Sequence, residues 1–525
     1  MRRSLAWFLG VIGLATALVL VDGRQPTLVG WLSYVVVCGL CALAAWLAWK
    51  SIAALSPPKW LVWALLVAFG VRVGLAVVFT HLLPAYGSGR DHQLAGYFFP
   101  DAYDRDRIAW EFGRSDRALW DLSPRETRVD QYGGMLVWSA LHYRLLSPDA
   151  HRPLLIGVQA ATASSLAVVF TWGFVSLAFG GPAAALAAWL MGLYPEAVLL
   201  GASQMREAFT VTALAIVLFG YARGRSQGWR QGLVPIVLGS LLAAVVSPPL
   251  AALGIALVAG ALLWERGAFG RLPKWVWIVL PLAIVALLAL TSQAWAGAGV
   301  WGANAADVLR AWVERTATYE FFVLEQGSGM VQALFGRAPV WARAPMATLY
   351  GLARPFLPAA LFEPSAPLAQ TVEIVRALGW YGLLPFLVYG ALAAPRAAGW
   401  RSLPTYLAVL VWVLAVAASY RGGADDWDNV RYRATFLVLQ AAVAGWAWAQ
   451  ARESVSPWLR RTGLLVLGVV LLFSQWYAGR YVGTPSLDIY WTLAATVVFV
   501  VGFVIGAWLL DRRAKRRLTP PSPGV

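Results

Sequence analysis

Long apolar runs alternate with short polar linkers along most of the chain. Each run holds roughly 17 to 25 residues, the length at which a helix crosses a bilayer. In lipid only helices and closed barrels pair all their backbone groups, and these runs are too long and too uniformly apolar for barrel strands. The pattern predicts an all-α integral membrane protein with about 14 transmembrane helices, within a range of about 12 to 14. The predicted helices cover residues 5–22, 28–48, 60–82, 153–179, 182–200, 204–222, 231–247, 249–264, 274–291, 371–392, 402–419, 433–450, 462–478 and 489–510.

Two long segments interrupt this alternation, residues 83–152 and residues 292–370. Neither is apolar enough to span a bilayer, and the alternation of basic linkers places both on the outer face. Within the first segment, residues 133–146 predict an interfacial juxtamembrane helix. Within the second, residues 345–362 are interrupted by prolines, and we expect them to stay outside or to re-enter the membrane.

The composition agrees with a membrane protein and restricts its partners. The 525 residues are 60% hydrophobic, with a mean hydropathy of +0.64, a formal net charge of +16 and a pI near 10.1. The basic residues stand in short linkers between apolar runs and not in a stripe with interleaved aromatic residues, so no nucleic-acid partner is expected. Membrane lipids are the expected surroundings. By the positive-inside rule these basic linkers are cytoplasmic, and both termini are predicted to be cytoplasmic as well.

The two ends of the chain carry separate predictions. Residues 1–50 predict an additional N-terminal helical hairpin, whose start looks like a signal sequence without a clear small-residue cleavage site and is therefore interpreted as a retained helix. Residues 511–525 predict a basic, disordered cytoplasmic tail. The only two cysteines, Cys38 and Cys41, lie one helical turn apart in an apolar run, so we expect no disulfide between them.

Ionisable residues concentrate in segment 83–152, above all in the stretch "FFPDAYDRDRIAWEF" at residues 98–112. If a helix begins after Pro100, its periodicity places Asp101, Asp104 and Arg105 on one face, above two apolar residues. This face would present acid at the membrane surface.

Structural explanations of the same stretch stay open. Asp101 would cap the helix in one of them. Asp101 with Arg105, and Arg107 with Glu111, would form ion pairs four residues apart on a solvated juxtamembrane helix.

Three stretches resemble the bacterial GT-C glycosyltransferases, which are polytopic enzymes of the protein mannosyltransferase and aminoarabinose transferase type. The first is the Asp soon after a membrane helix, followed by "AWEF", "QYGGMLVWSALHYRLL" and "LLIGVQAATASSLAVVFTWGFVSLAFG". The second is "AAALAAWLMGLYPEAVLLGASQMREAFTVTALAIVLFGYAR". The third, "WDNVRYRATFLVLQ", looks like the family's RYR-x-P entry into a late helix but has Ala434 and Thr435 where a proline is common.

The resemblance implies a GT-C-type bundle with a core at residues 51–230, a catalytic first outer loop at residues 83–152, and C-terminal transmembrane helices at residues 231–510. It implies an inverting glycosyltransferase in the bacterial cytoplasmic (inner) membrane, with its active site on the outer face. The donor would be a sugar on a polyprenyl phosphate, and the acceptor a lipid, a glycan or a protein. Asp101 matches the family's general base, and Asp104 is the second choice.

The leaving lipid phosphate requires cations, and guanidinium binds phosphate through paired hydrogen bonds. Arg431, Arg433 and Arg206 are the candidates, although arginines at helix ends also snorkel to the interface without a catalytic role. Glu207, at the start of a helix, would bind the acceptor, pair with Arg206 or simply favour the first turn. The other candidates for binding acceptor or donor are Tyr432, Asp130, Tyr132 and Arg105.

The histidines of the first outer loop raise a metal hypothesis. His92 and His142 are weak candidates, because the sequence has no tight pair such as H-x-x-H. No cofactor is therefore assigned, and a divalent metal stays open.

Two other functions remain as alternatives. One is a polysaccharide polymerase or ligase that acts on lipid-linked glycans. The other is a transporter or flippase of a lipid-linked precursor, which would place its ionisable residues near the bilayer midplane.

Overall fold

A computed structural model describes residues 2–23, 26–122, 130, 132–265, 332, 335–422 and 428–518. These residues form α-helices and two short 3₁₀ turns, at Ala53–Leu55 and Leu119–Asp121, with no strand among them. The first half contains α1 Arg2–Val21, α2 Leu28–Ile52, α3 Trp60–Tyr86, α4 Asp91–Leu94, α5 Pro100–Gly113, α6 Gly134–Leu146, α7 Leu154–Phe179, α8 Gly181–Leu193, α9 Pro195–Ala202, α10 Glu207–Gln227, α11 Trp229–Val246 and α12 Pro248–Trp264. The second half contains α13 Val340–Ala353, α14 Leu357–Phe362, α15 Pro367–Ala397, α16 Leu403–Gly422, α17 Asp428–Ala434, α18 Leu437–Glu453, α19 Trp458–Val482 and α20 Ile489–Leu518. The predicted all-α class is confirmed.

The described residues contain fewer candidate spans than the predicted total of about 14, and that total stays a prediction. Among the described residues, nine helices are long and apolar enough to cross a membrane, or ten if the bent pair α8 and α9 counts as one span. Two shorter apolar helices, Phe8–Val21 within α1 and Pro248–Trp264, which is α12, are not among these nine. The predicted helix at 433–450 is broken, because α17 ends at Ala434 and α18 begins at Leu437. The predicted helix at 274–291 lies outside the described residues, as do residues 292–331 of the second outer segment.

The core of the bundle lies around α7 and α10. In their most apolar windows, 94% and 83% of the residues are buried inside the protein, against 11% in α19 and 6% in α20. An apolar helix with so few buried residues presents its side chains to lipid. The N-terminal hairpin of α1 and α2 packs on α7 through α2. Cys38 and Cys41 are both free thiols, as the sequence predicts.

A buried arginine supports the bend between α8 and α9. Pro195 has no amide hydrogen and begins α9, so the two helices meet at 45° and the last carbonyls of α8 lose their partners. Arg72 of α3 is fully buried and donates to the carbonyls of Gly192 at 2.7 Å and Met191 at 3.1 Å, while its Nε donates to Ser164 at 2.9 Å. The charge inside the bundle is thus explained by the broken helix.

A buried ion pair joins α9 to α15. Arg376 binds Glu196 through two hydrogen bonds, of 2.5 and 3.2 Å, and both side chains are 1% exposed. A bidentate pair of this kind satisfies the carboxylate without water. It fixes the start of α9, which leads directly into the turn at residues 203–206 and then into α10.

Candidate functional site

Helix α5 presents Asp101 to solvent and buries a different face from the predicted one. The helix starts at Pro100, whose fixed φ suits a first helical position, and Asp101 lies in its first turn without forming a side-chain cap. The capping role considered for Asp101 is therefore wrong. Arg105 is buried and not paired with Asp101, whereas the predicted pair of Arg107 and Glu111 is present at 2.9 Å. The buried residues of α5 are Ala102, Arg105, Asp106, Ala109, Phe112 and Gly113.

Arg431 of α17 connects Asp101 to Glu207. Its Nη1 donates to Oδ2 of Asp101 at 2.8 Å, and its Nε lies 3.4 Å from Oε1 of Glu207. The Asp101 side chain is 53% exposed, but the side chains of Arg431 and Glu207 are only 8% and 6% exposed. The structure therefore brings together three predicted site residues from α5, α10 and α17. The other oxygen of Glu207, Oε2, is buried and has no hydrogen-bond partner among the described residues.

Two more predicted arginines meet at the turn that precedes α10: Arg206 belongs to the turn, and Arg105 reaches it from α5. Arg206 is partly exposed, and its Nε lies 3.8 Å from Oε1 of Glu207. Arg105 donates to the carbonyl of Gln204 at 2.5 Å, and Gln204 adopts a left-handed φ of 53°, which is uncommon for a residue other than glycine. Burial lowers the pKa of Arg105, although the nearby carboxylates of Asp130 and Glu207 oppose this effect. Gln204 is a site-forming residue that the sequence did not single out.

The entry into α6 places Asp130 and Tyr132 beside this cluster. Asp130 is buried and accepts from the amide of Leu136 at 3.1 Å, so it closes the first turn of α6. The guanidinium of Arg206 lies 5.5 Å from the ring centre of Tyr132. Burial raises the pKa of Tyr132, while Arg206 and a hydrogen bond with Ser247 lower it. Gly133 has a φ of +74°, which a glycine adopts without strain.

Tyr432 and Arg433 are neighbours in α17 but contact different parts of the protein. The ring of Tyr432 has two guanidiniums near it, Arg421 at 5.4 Å and Arg431 at 5.6 Å. Arg433 is 2% exposed, packs at 4.0 Å from the ring centre of Trp380, and donates to the carbonyls of Leu352 and Arg354. Its terminal nitrogens thus bind the backbone after α13, so phosphate binding by Arg433 stays a prediction that this geometry does not favour.

Asp104, His92 and His142 lie apart from the Arg431 cluster. Asp104 is close enough to His92 to oppose the fall in pKa that burial and Arg90 cause in that imidazole. His142 is buried on α6, and its Nδ1 is 2.8 Å from the carbonyl of Trp138. In the described part of the chain no group of three or more His, Cys, Asp and Glu residues is placed to hold a metal ion.

Sequence reasoning also missed Asp106, the most deeply buried carboxylate of α5. It is 1% exposed and accepts from Tyr97, Tyr143 and His151. A stripe of residues spaced three and four apart, from Ala102 to Gly113, would have revealed its burial if charge had not been taken as a sign of exposure.

The fold defines a multi-pass, all-α membrane protein, and a cluster of charged side chains gathers where α5, α6, α10 and α17 begin. No protein-family model and no curated protein matches the sequence.

The chain is similar in structure to the oligosaccharyltransferase of Archaeoglobus fulgidus. With AglB in complex with an inhibitory peptide and a dolichol-phosphate, the TM-score is 0.37 and the identity 14%, over 86% of this chain and 55% of that chain. With the enzyme in complex with Zn and sulfate, the TM-score is 0.40 and the identity 13%, over 80% and 53%. With the enzyme tethered to an acceptor peptide containing the NVT sequon, they are 0.40 and 14%, over 85% and 54%. The chain thus spans about half the length of these proteins. Similarity at this level carries no argument for function.

Proposed function

We propose that this protein is a GT-C-type membrane glycosyltransferase that transfers a sugar from a polyprenyl phosphate carrier to a lipid, glycan or protein acceptor at the outer face of the cytoplasmic membrane. The observation that supports it is a chain of charged side chains: the exposed Asp101 pairs with the buried Arg431, which lies beside the buried Glu207, and Glu207 lies beside Arg206. A base and a cation are needed together at this site. The base removes a proton from the acceptor, and the cation binds the phosphate that the donor releases.

In the proposed reaction, an acceptor oxygen or nitrogen attacks the anomeric carbon from the face opposite the phosphate. Asp101 accepts the proton of the attacking group, and its exposure leaves room for a polar acceptor. The bond from the anomeric carbon to the phosphate oxygen breaks, and the lipid phosphate leaves with the electron pair. Arg206, which is partly exposed, is the best-placed cation to bind it, with Arg431 behind.

The aromatic residues and the second acid have supporting roles in this proposal. Tyr132 and Tyr432 each hold a guanidinium against the ring, which places flat surfaces beside the cations where a sugar can pack. Glu207 supplies a buried negative charge beside Arg431 and helps to orient it.

The test uses purified protein in proteoliposomes with a panel of undecaprenyl-phosphate-linked sugars, and membranes of a deletion strain as the source of unmodified acceptor. Release of undecaprenyl phosphate and labelling of the membranes are measured. Asp101→Asn is expected to lower turnover by about 100-fold or more, because a general base contributes about 10²–10⁴-fold. Glu111→Gln is the matched control on the same helix, because Glu111 is exposed and pairs with Arg107, and it should retain most of the activity. Wild-type turnover in Asp101→Asn would remove Asp101 from the reaction.

The same assay separates the alternatives. A polymerase or ligase would turn over only with donors that carry a glycan chain. A flippase would move donor lipid across the bilayer and leave every donor chemically intact. Each alternative therefore predicts a different outcome of this assay.

A further inference from the structure

Asp106 is anchored from three directions by hydrogen bonds that leave its carboxylate with no exposed oxygen. Tyr97 and Tyr143 each donate to it at 2.5 Å, and Nε2 of His151 lies 2.7 Å away. An ionised carboxylate only accepts hydrogen bonds, so Nε2 of His151 carries the proton. Asp106 itself is 1% exposed.

The three donors come from three different parts of the first outer loop. Tyr97 precedes α5, Tyr143 belongs to α6, and His151 stands in the turn before α7. Trp110, also on α5, stacks on the His151 ring at 5.2 Å with an interplanar angle of 23°. This arrangement ties α5 to its surroundings at one point along its length.

The anchor determines where Asp101 points. Asp106 follows Asp101 by five positions in the same helix. This spacing corresponds to a rise of about 7.5 Å and a rotation of about 140° around the helix axis. Because Asp106 faces inward against fixed donors, Asp101 is turned outward, towards Arg431 and the solvent. No side chain caps the start of α5, so the orientation of the helix depends on the inward-facing polar contacts of Asp106 and of Arg105, which donates to the carbonyl of Gln204.

We propose that Asp106 is the positioning residue of the site, holding α5 so that Asp101 meets Arg431 and the acceptor, an inference that rests on the function proposed above. A shift of about 1 Å in a catalytic group can lower turnover by about 100-fold. Asp106→Asn weakens the anchor without changing volume, and Tyr143→Phe removes one of its donors.

The experiment pairs Asp106→Asn and Tyr143→Phe with Arg144→Gln. Arg144 of α6 also holds α5, but at its far end, where it donates to the carbonyls of Phe112 and Ser115. Hydrogen–deuterium exchange of residues 100–113 and turnover in the proteoliposome assay are measured on the same preparations. We expect Asp106→Asn to speed exchange at the start of α5, to leave exchange in α7 unchanged, and to lower kcat at least tenfold with little change in the KM of the donor. Tyr143→Phe should do the same to a smaller extent. Arg144→Gln should speed exchange at the end of α5 and keep kcat within about twofold.

Two results would overturn the positioning role. One is an Asp106→Asn protein with faster exchange in α5 and wild-type kcat; the other is an equal loss of kcat in Arg144→Gln, which would indicate a general loosening of the loop. A failure of the proposed function is seen separately, as wild-type turnover in Asp101→Asn or as no turnover by the wild type with any donor. The exchange result tests the anchor in either case.

Discussion

Arg431 bridges two carboxylates of very different exposure. It donates to Asp101 at 2.8 Å, and its Nε lies 3.4 Å from Glu207. The side chain of Asp101 is 53% exposed and that of Glu207 is 6% exposed. Water competes for the first pair and not for the second, so the two contacts of one guanidinium have different energetic weight.

This difference predicts opposite stability effects for two neutralising substitutions. Glu207→Gln removes a buried negative charge 3.4 Å from the buried guanidinium of Arg431 and should destabilise the protein by about 1–3 kcal/mol. Asp101→Asn removes only the exposed partner and should cost less than about 1 kcal/mol. Thermal unfolding in detergent, followed by tryptophan fluorescence, measures both. If the two variants unfold at the same temperature, Glu207 is not the main partner of Arg431.

Substitution of Arg206 should affect donor binding, whereas substitution of Arg433 should affect the stability of the fold. Arg206 is partly exposed at the site, so Arg206→Gln should raise the KM for the lipid-phosphate donor at least tenfold with unchanged thermal stability. Arg433→Gln removes the guanidinium hydrogen bonds to the carbonyls of Leu352 and Arg354 and the contact with the Trp380 ring, and should lower thermal stability by about 2 kcal/mol. Donor titrations and unfolding curves on both variants check this. The reverse pattern would assign the phosphate to Arg433, which the sequence named as a candidate together with Arg431 and Arg206.

The sequence predicts the helices better than it predicts which of them cross the membrane. Apolar periodicity locates α2, α3 and α7 because burial in lipid or protein requires the same residues. The apolar pattern cannot show that the predicted helix at 182–200 breaks at Pro195 into α8 and α9. The guanidinium of Arg72, which stabilises this bend, lies more than a hundred residues away in the sequence.

The sequence likewise predicts the residues of the candidate site better than it predicts their contacts. Asp101, Glu207 and Arg431 are each recognisable in a local stretch, but their contact joins residues 330 positions apart and exists only in the folded chain. Asp106 was overlooked because a charged residue in a polar loop reads as solvated until its three donors are seen.

The stability of the folded protein should depend on pH through Asp149. Hydrogen bonds from Arg152, at 2.6 and 2.8 Å, lower the pKa of this carboxyl from 3.8 to about 2. A lowered pKa in the fold means that the carboxylate contributes its stabilisation fully above pH 3.8, and that this is lost as the pH falls through about 2. The wild type should therefore be more stable than Asp149→Asn at neutral pH, and the gap should close between about pH 4 and pH 2. Unfolding temperatures of the two proteins across this range measure it, and a gap that persists unchanged at pH 2 contradicts the assignment.

Gly134 marks a close approach that holds the edge of the candidate site. A Cβ at this position would overlap the carbonyl oxygen of Val245, at the end of α11, so α6 and α11 meet there only because residue 134 has no side chain. Gly134→Ala must push the start of α6 away, and Tyr132 and Asp130 move with it. We expect it to lower turnover at least tenfold and to reduce thermal stability by about 1–3 kcal/mol, the usual cost of overpacking. Gly74→Ala on α3, where an added Cβ meets nothing within 4 Å, is the matched control and should leave both measurements unchanged. A Gly134→Ala protein with wild-type turnover and unfolding temperature would show that α6 and α11 do not approach this closely in the membrane.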